Sequence, residues 1–202
     1  AAAARKHLFC DKPIGADVTE AYEIWSAYQN SGLGHYVPYW TRYEPKFRRV
    51  KELIESGTLG EIKVAIYRWH NNRPISMPFT WRDDANLSAA GSIGDVGSHA
   101  YDTMRWLINS EASRIFSHAS IISPPKPDLG AIDLEEALEW SEKHSINTAQ
   151  HTRSPTACDY GAITWEFQNG VLGILLLSHA PVLRKGLAPE LEIHGSEASV
   201  SI

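Results

Sequence analysis

Lys12 stands between Asp11 and Pro13, directly after the apolar run Leu8-Phe9-Cys10. Such a run reads as a short buried strand, and in an open α/β sheet ligands gather at the carboxyl ends of the strands. A lysine there can donate hydrogen bonds to a substrate oxygen or help lower the pKa of a nearby hydroxyl. A solvated loop lysine has the same appearance in sequence. A second set of candidates is Asp95, His99 and Asp102, spaced i, i+4 and i+7, so a helix there lines all three up on one face. Asp95 and His99 suit a carboxylate–imidazole pair, the carboxylate orienting the ring and stabilising its charged form. That is general-base chemistry near neutral pH. A surface ion pair with a capping aspartate accounts for the same spacing. Trp81-Arg82-Asp83-Asp84 comes just before. Arg82 there could clamp a substrate hydroxyl or carboxylate and Trp81 could form an apolar wall, or the stretch is a packed tryptophan beside solvated charges. Arg42 and Tyr43 carry the same two readings. No metal site is expected, because an Asp/His pair without further ligands at recognisable spacing does not make one. His70, His118, His144, His151, His179 and His194 are scattered and read as structural or surface groups.

The elements that must position these residues follow from periodicity. Asp17 or Thr19 can cap a helix over about 20–30 with Ala21, Ile24, Trp25 and Tyr28 on one face, ended by Ser31-Gly32-Leu33-Gly34. His35 to Tyr43 is aromatic and reads as extended, with Pro38 tolerable near an edge. Strand, helix, strand makes Leu8 to Tyr43 a βαβ unit, the last piece of a parallel sheet. Pro45 opens a second helix through Phe47, Val50, Leu53 and Ile54, closed by Gly57 and Gly60. Glu61 to His70 alternates as a half-buried strand, with Ile62, Val64 and Ile66 expected on the buried side. Asn71 to Leu87 reads as loop and Gly94 to Ile108 as the helix carrying Asp95 and His99. Its apolar stripe is Val96, Ala100, Met104, Leu107 and Ile108. Gly97 within it costs about 1 kcal/mol against alanine and so requires a reason. Arg114 to Ile122 reads as a strand. Ser123 to Ser154 reads as mixed, with a helical stretch over Leu134 to Lys143. Ile163 to Phe167 and Val171 to Ser178 form a hairpin about Asn169-Gly170, and Leu191 to Ile202 forms another. The fold class is therefore α/β plus α+β: a βαβ piece over 1–43, then an open, mostly antiparallel sheet domain over 44–202 with helices on one face.

Composition bounds the rest. The 202 residues carry a formal net charge of −5 and are 43% hydrophobic and 21% charged, which is ordinary globular usage with enough chain to bury a core. No Lys/Arg-rich stripe is present, which argues against nucleic acid as a partner. The longest apolar runs are too short to span a bilayer, so no membrane role is expected. Two cysteines far apart, Cys10 and Cys158, match no ligand spacing and favour a reducing, cytoplasmic compartment. Ala1–Ala4 running straight into a strand, and a terminal hairpin stopping in its second strand, lead us to expect a piece of a longer protein.

Several stretches together resemble one family. Lys6-His7-Leu8-Phe9-Cys10-Asp11-Lys12-Pro13 resembles the lysine–proline motif of the Gfo/Idh/MocA oxidoreductases, with Asp11 where the family usually has Glu. Tyr39-Trp40-Thr41-Arg42-Tyr43-Glu44-Pro45 resembles its last Rossmann strand, and Ile54-Glu55-Ser56-Gly57-Thr58-Leu59-Gly60-Glu61-Ile62 the opening of its second domain. Gly94-Asp95-Val96-Gly97-Ser98-His99-Ala100-Tyr101-Asp102 is similar to its catalytic helix. The Asn169-Gly170 hairpin and the Ile193-His194-Gly195-Ser196 turn also fit. The resemblance implies NAD- or NADP-dependent hydride transfer to or from a hydroxyl carbon of a sugar, inositol or related polyol. On that reading Lys12, His99 and Asp95 are catalytic, and Asp11, Lys12, Pro13, Trp81 and Arg82 lie against the cofactor. Arg42, Tyr43, Asp95, His99 and Asp102 lie near the substrate. It also implies homo-oligomers formed through the C-terminal sheet. No Gly-x-Gly-x-x-Gly follows a strand in this sequence, so a phosphate cradle is absent from these residues, NAD and NADP are not distinguished, and the piece alone is expected to be inactive. A ligand-sensing relative without chemistry and an NAD-dependent glycosidase of the same family are the competing readings.

Overall fold

The computed structural model describes residues 1–15, 17–88, 90–145, 151–183 and 190–202. Two short parallel strands, β1 (Leu8–Phe9) and β2 (His35–Tyr36), flank helix α1 (Val18–Gln29), the expected βαβ arrangement. The Asp17 side chain accepts from the Glu20 backbone N–H at the start of α1, satisfying one of the donors that a helix N-terminus leaves open. Of the apolar face expected on α1, Tyr28 is buried while Trp25 is exposed and packs against the more exposed Tyr22. The aromatic stretch is not a strand throughout. Pairing stops after Tyr36, ahead of Pro38, and Trp40–Tyr43 closes into a 3-10 turn. A proline has no N–H to give to a ladder, so the chain leaves the sheet there.

Helix α2 (Pro45–Glu55) and strand β3 (Ile62–His70) follow as expected. β3 buries Ala65 and Tyr67 against the helices, whereas Val64 and Ile66 point to the other face, the reverse of the face expected from their hydrophobicity. Helical turns over Trp81–Asp83 and α3 (Ala85–Ser88) lead to a π-helical turn, Ile93–Gly97, which runs into α4 (Ser98–Ile108). Then come β4 (Ala112–Ser120), β5 (Lys126–Pro127), α5 (Leu134–Lys143), β6 (Thr152–Arg153), β7 (Tyr160–Phe167), β8 (Leu172–Ser178), β9 (Leu191–Gly195) and β10 (Ser199–Ser201). The α5 helix occupies the expected residues, and residues 146–150 of the same stretch lie outside the described ones.

The main sheet has the order β10-β9-β3-β8-β7-β4, antiparallel except for the β3–β8 pair. Its inner face and helices α2 and α4 enclose one core containing Phe47, Val50, Tyr67, Met104, Leu107, Phe167, Leu175 and Ile193. All five residues of the expected α4 stripe are buried. Gly97 now has its reason: a Cβ there would meet Leu177 Cδ2 of β8 at 3.0 Å. The helix start therefore lies against the sheet where a side chain would have to displace a leucine. The parallel pair β3–β8 ends its two strands side by side, at His70 and Ser178.

Candidate active site

Three elements converge on Asp95. Lys12, following β1, reaches across 83 positions of sequence to donate from Nζ to both Asp95 Oδ1 and the Asp95 backbone carbonyl, each at 2.8 Å. His179, just past β8, brings Nε2 to 3.4 Å from Asp95 Oδ2, and Arg82 Nε lies 3.8 Å from the same oxygen. Burial pushes the Asp95 carboxyl up, but the Lys12 hydrogen bond and charge, followed by His179 and Arg82, bring it below its ordinary value. Asp95 is thus an ionised acceptor that holds the Lys12 ammonium in one orientation.

His99 sits one turn further along, buried, in a ring of aromatic side chains. Tyr39 meets it edge-on at 5.5 Å, and Trp69 and Trp40 lie at 5.9 and 6.3 Å between ring centroids. Its Nδ1 is buried without a hydrogen-bond partner. Burial, then the Lys12 charge, lowers its pKa from the ordinary value, so the ring is neutral and available to accept a proton.

The expected carboxylate–imidazole pair does not form. Asp95 gives its carboxylate to Lys12, and the His99 Nδ1 that it was to orient has no partner. The physical reason is the π turn: alignment at i and i+4 presumes α-helical geometry, and Ile93–Gly97 is wound more loosely. Asp102 separates from the other two as well. It is buried and accepts two bonds from Arg42, at 2.7 Å from Nε and 2.5 Å from Nη2. Arg42 and Asp102, both expected near substrate, are therefore each other's partners, a fork that ties the turn after β2 to α4. Tyr43 is exposed, its hydroxyl bonded to that of Tyr36. Asp11 and Pro13 are exposed on either side of Lys12, and Asp11 accepts the Lys12 backbone N–H at 2.8 Å. Trp81 is exposed and carries the Arg82 guanidinium over its ring at 4.3 Å.

Asp83 and Asp84 are not solvated charges. Both are buried, paired with Lys126 at 2.6 Å and Arg153 at 2.5 Å, partners brought in by the small β5–β6 pair. They brace the loop that carries Trp81 and Arg82. His179, read in sequence as structural or surface, is the functional candidate that spacing missed. It stands 84 positions from Asp95 by their numbers, and no local pattern announces it. Burial and the neighbouring Arg73 lower its pKa to about 4. Among the described residues no group of three or more His, Cys, Asp or Glu could hold a metal ion, and no helix is long and apolar enough to cross a membrane.

Comparison with known proteins bears on the family and the fold. The chain is 26% identical to the levoglucosan dehydrogenase of Pseudarthrobacter phenanthrenivorans over 99% of its own length and 50% of that protein's. It is 22% identical to the myo-inositol 2-dehydrogenase of Thermotoga maritima, over 98% of its length and 50% of that enzyme's. It thus spans about half the length of these curated relatives. Among solved structures, an oxidoreductase domain protein from Kribbella flavida matches the whole chain and 50% of its own at a TM-score of 0.81 and 22% identity. A levoglucosan dehydrogenase in complex with NADH matches the whole chain and 49% of its own at 0.80 and 23%. The family model for the GFO/IDH/MocA C-terminal domain matches residues 47–201, so the chain belongs to the Gfo/Idh/MocA family.

Proposed function

We propose that the protein carrying this chain transfers hydride between a nicotinamide cofactor and a hydroxyl carbon of a sugar, inositol or related polyol. The observation that carries this reading is the Lys12–Asp95 contact, which brings the lysine after β1 beside the helix that bears His99. A dehydrogenase acting on a hydroxyl needs a donor to the reacting oxygen and a base for its proton. Lys12, fixed by Asp95, is the donor, and its charge stabilises the developing alkoxide. His99, kept neutral by its aromatic surroundings, takes the hydroxyl proton. Asp95 positions the lysine.

The residues here fit the reactive end of a nicotinamide cofactor: Trp81 offers an exposed flat ring, and Arg82 Nε is buried without a hydrogen-bond partner. Asp11, Lys12, Pro13, Trp81 and Arg82 would hold that end, as NAD or NADP. When bound, a nicotinamide would supply the redox chemistry, as the hydride's acceptor or donor. Residues 1–43 belong, on this reading, to the nucleotide-binding domain and 44–202 to the substrate and oligomerisation domain. The piece alone is inactive and the complete protein works in the cytoplasm. A second copy covers the outer face of the main sheet, where Phe116 and Leu172 are exposed, 72% and 52% respectively.

The test is kinetic. In the complete protein, Lys12→Ala and His99→Ala should each lower kcat by roughly 10²-fold or more while dinucleotide binding, read by NADH and NADPH fluorescence, persists. Dinucleotide binding without turnover of any polyol by the wild-type protein would favour the ligand-sensing alternative. Release of a free sugar without net NADH would favour the glycosidase.

A further inference from the structure

The charges around Asp95 do not balance. Lys12, Arg82 and Arg73 all act on this carboxylate, and Arg73 also feels Asp83, while the neighbouring cations Lys126 and Arg153 are ion-paired with Asp83 and Asp84. Arg73 is half-buried, and among the described residues no carboxylate lies within ion-pairing distance of it. Its side chain has no hydrogen-bond partner among them either. A guanidinium does not escape this by losing its proton. A charge partly withdrawn from water with no carboxylate at ion-pairing distance is unfavourable, and the protein keeps such a group where something else supplies the counter-charge.

The same place holds unmet polar atoms. Arg82 Nε and His179 Nε2 are both buried with no hydrogen bond, lying 3.8 and 3.4 Å from Asp95 Oδ2. His179 is 8% exposed. Arg73 and His179 are held side by side by the backbone. Past the ends of the parallel strands β3 and β8, Asn71 N–H donates to the Ser178 carbonyl at 2.8 Å and Arg73 N–H to the His179 carbonyl at 3.0 Å. The backbones that carry the guanidinium and the imidazole are thus fixed side by side before any ligand arrives, which limits the ordering that binding must impose.

We propose that the substrate bears an oxyanion, a carboxylate or a phosphate, beside its reacting hydroxyl, and that Arg73, with His179, receives it. The inference rests on the dehydrogenase reading and narrows its substrate class from neutral polyols to sugar acids or sugar phosphates. Arg73 supplies the planar fork that matches an oxyanion in two bonds, and neutral His179 supplies a third polar contact. Lys12 remains on the reacting oxygen.

Matched panels of aldonates, sugar phosphates and neutral alditols, offered to the complete protein, test it by kcat/KM and by calorimetric binding. One anionic panel should exceed the alditols by roughly 10- to 100-fold, as expected of a charge-assisted contact, and whichever panel leads names the oxyanion. Arg73→Met should collapse the ratio of anionic to neutral substrate, and Arg73→Lys should restore part of it. Alditols used and bound as well as both anionic panels, or a preference that survives Arg73→Met, would overturn the proposal. If Arg73→Met does not fold, Arg73→Lys and His179→Asn read the same ratio. Should no panel turn over with either cofactor, the dehydrogenase reading fails. The calorimetric preference, and its dependence on Arg73, still decides the oxyanion site separately.

Discussion

His99 and His179 are both buried histidines beside Asp95, yet their surroundings give them different tasks. Aromatic rings enclose His99, while the charge of Arg73 faces His179. Each is pushed toward the neutral form, so each binds its proton less readily in the folded protein than in the unfolded chain. For His99 this has a kinetic consequence. The acid limb of the pH–kcat/KM profile should lie below the ordinary histidine value of 6.5, with activity lost as pH falls through it. A limb above that value would remove His99 as the base. For His179 the consequence is stability. Between its ordinary value of 6.5 and its folded value of about 4, the unfolded chain takes up a proton that the native state refuses. Stability therefore falls as pH drops through that window, by on the order of 3 kcal/mol, and His179 contributes no further loss below it. Denaturant unfolding at about pH 7 and about pH 4.5 checks this: His179→Gln should narrow the difference between the two pH values, and an unchanged difference would assign the loss to other groups.

The π turn and the helix that follows it make one element with two functions. Its looser winding turns Asp95 toward Lys12 instead of along the α4 face toward His99, and its glycines let it lie close to its neighbours. Gly91, two residues before the turn, is tighter still: φ is +52°, and a Cβ would fall 2.1 Å from the Cys158 carbonyl oxygen. Gly57 also has a positive φ, +75°, but open space around it. Gly57→Ala should then lose about 1 kcal/mol from backbone strain alone. Gly91→Ala should lose about 2–4 kcal/mol, because the strand of chain around Cys158 must also move. Thermal or denaturant unfolding of the two variants side by side reads this difference, and equal losses would show that the contact at Gly91 is slack.

At the scale of the whole molecule, helices α2 and α4 cover one side of the main sheet, while Phe116, Thr164 and Leu172 on its other side are exposed among the described residues. Pairing places Val64 beside Leu172, Ile66 beside Ile174, and Ile174, Thr164 and Phe116 in one row, so that face is an apolar floor. Ion pairs stand at its margins, Arg114 with Glu166 and Arg68 with Glu192. An apolar floor with a charged rim is the anatomy of a protein–protein surface. If a second copy covers it, Phe116→Glu combined with Leu172→Glu should shift the complete protein to a smaller species in light scattering after size exclusion, with dinucleotide binding retained. An unshifted mass would place the interface elsewhere or exclude it.

What the sequence determined by itself were the features that are local in the chain. The capping of α1 by Asp17, the start of α2 at Pro45, the extent of α5 and the hairpin at Asn169-Gly170 all formed where periodicity and turn chemistry put them. Each depends on interactions within a few residues. The ordered set of motifs likewise named the family. Other outcomes belong to the tertiary structure. The expected Asp95–His99 pairing gave way to Lys12, a residue 83 positions away, and Asp102 was taken by Arg42. The face of β3 that carries Ala65 and Tyr67, not the one with Val64 and Ile66, went under the helices. Asp83 and Asp84 went inside with Lys126 and Arg153, and His179 entered the site. In each case the deciding partner is distant in sequence. A charge or a histidine has no periodicity of its own, and its role follows from which opposite charge or ring the fold brings within a few ångströms.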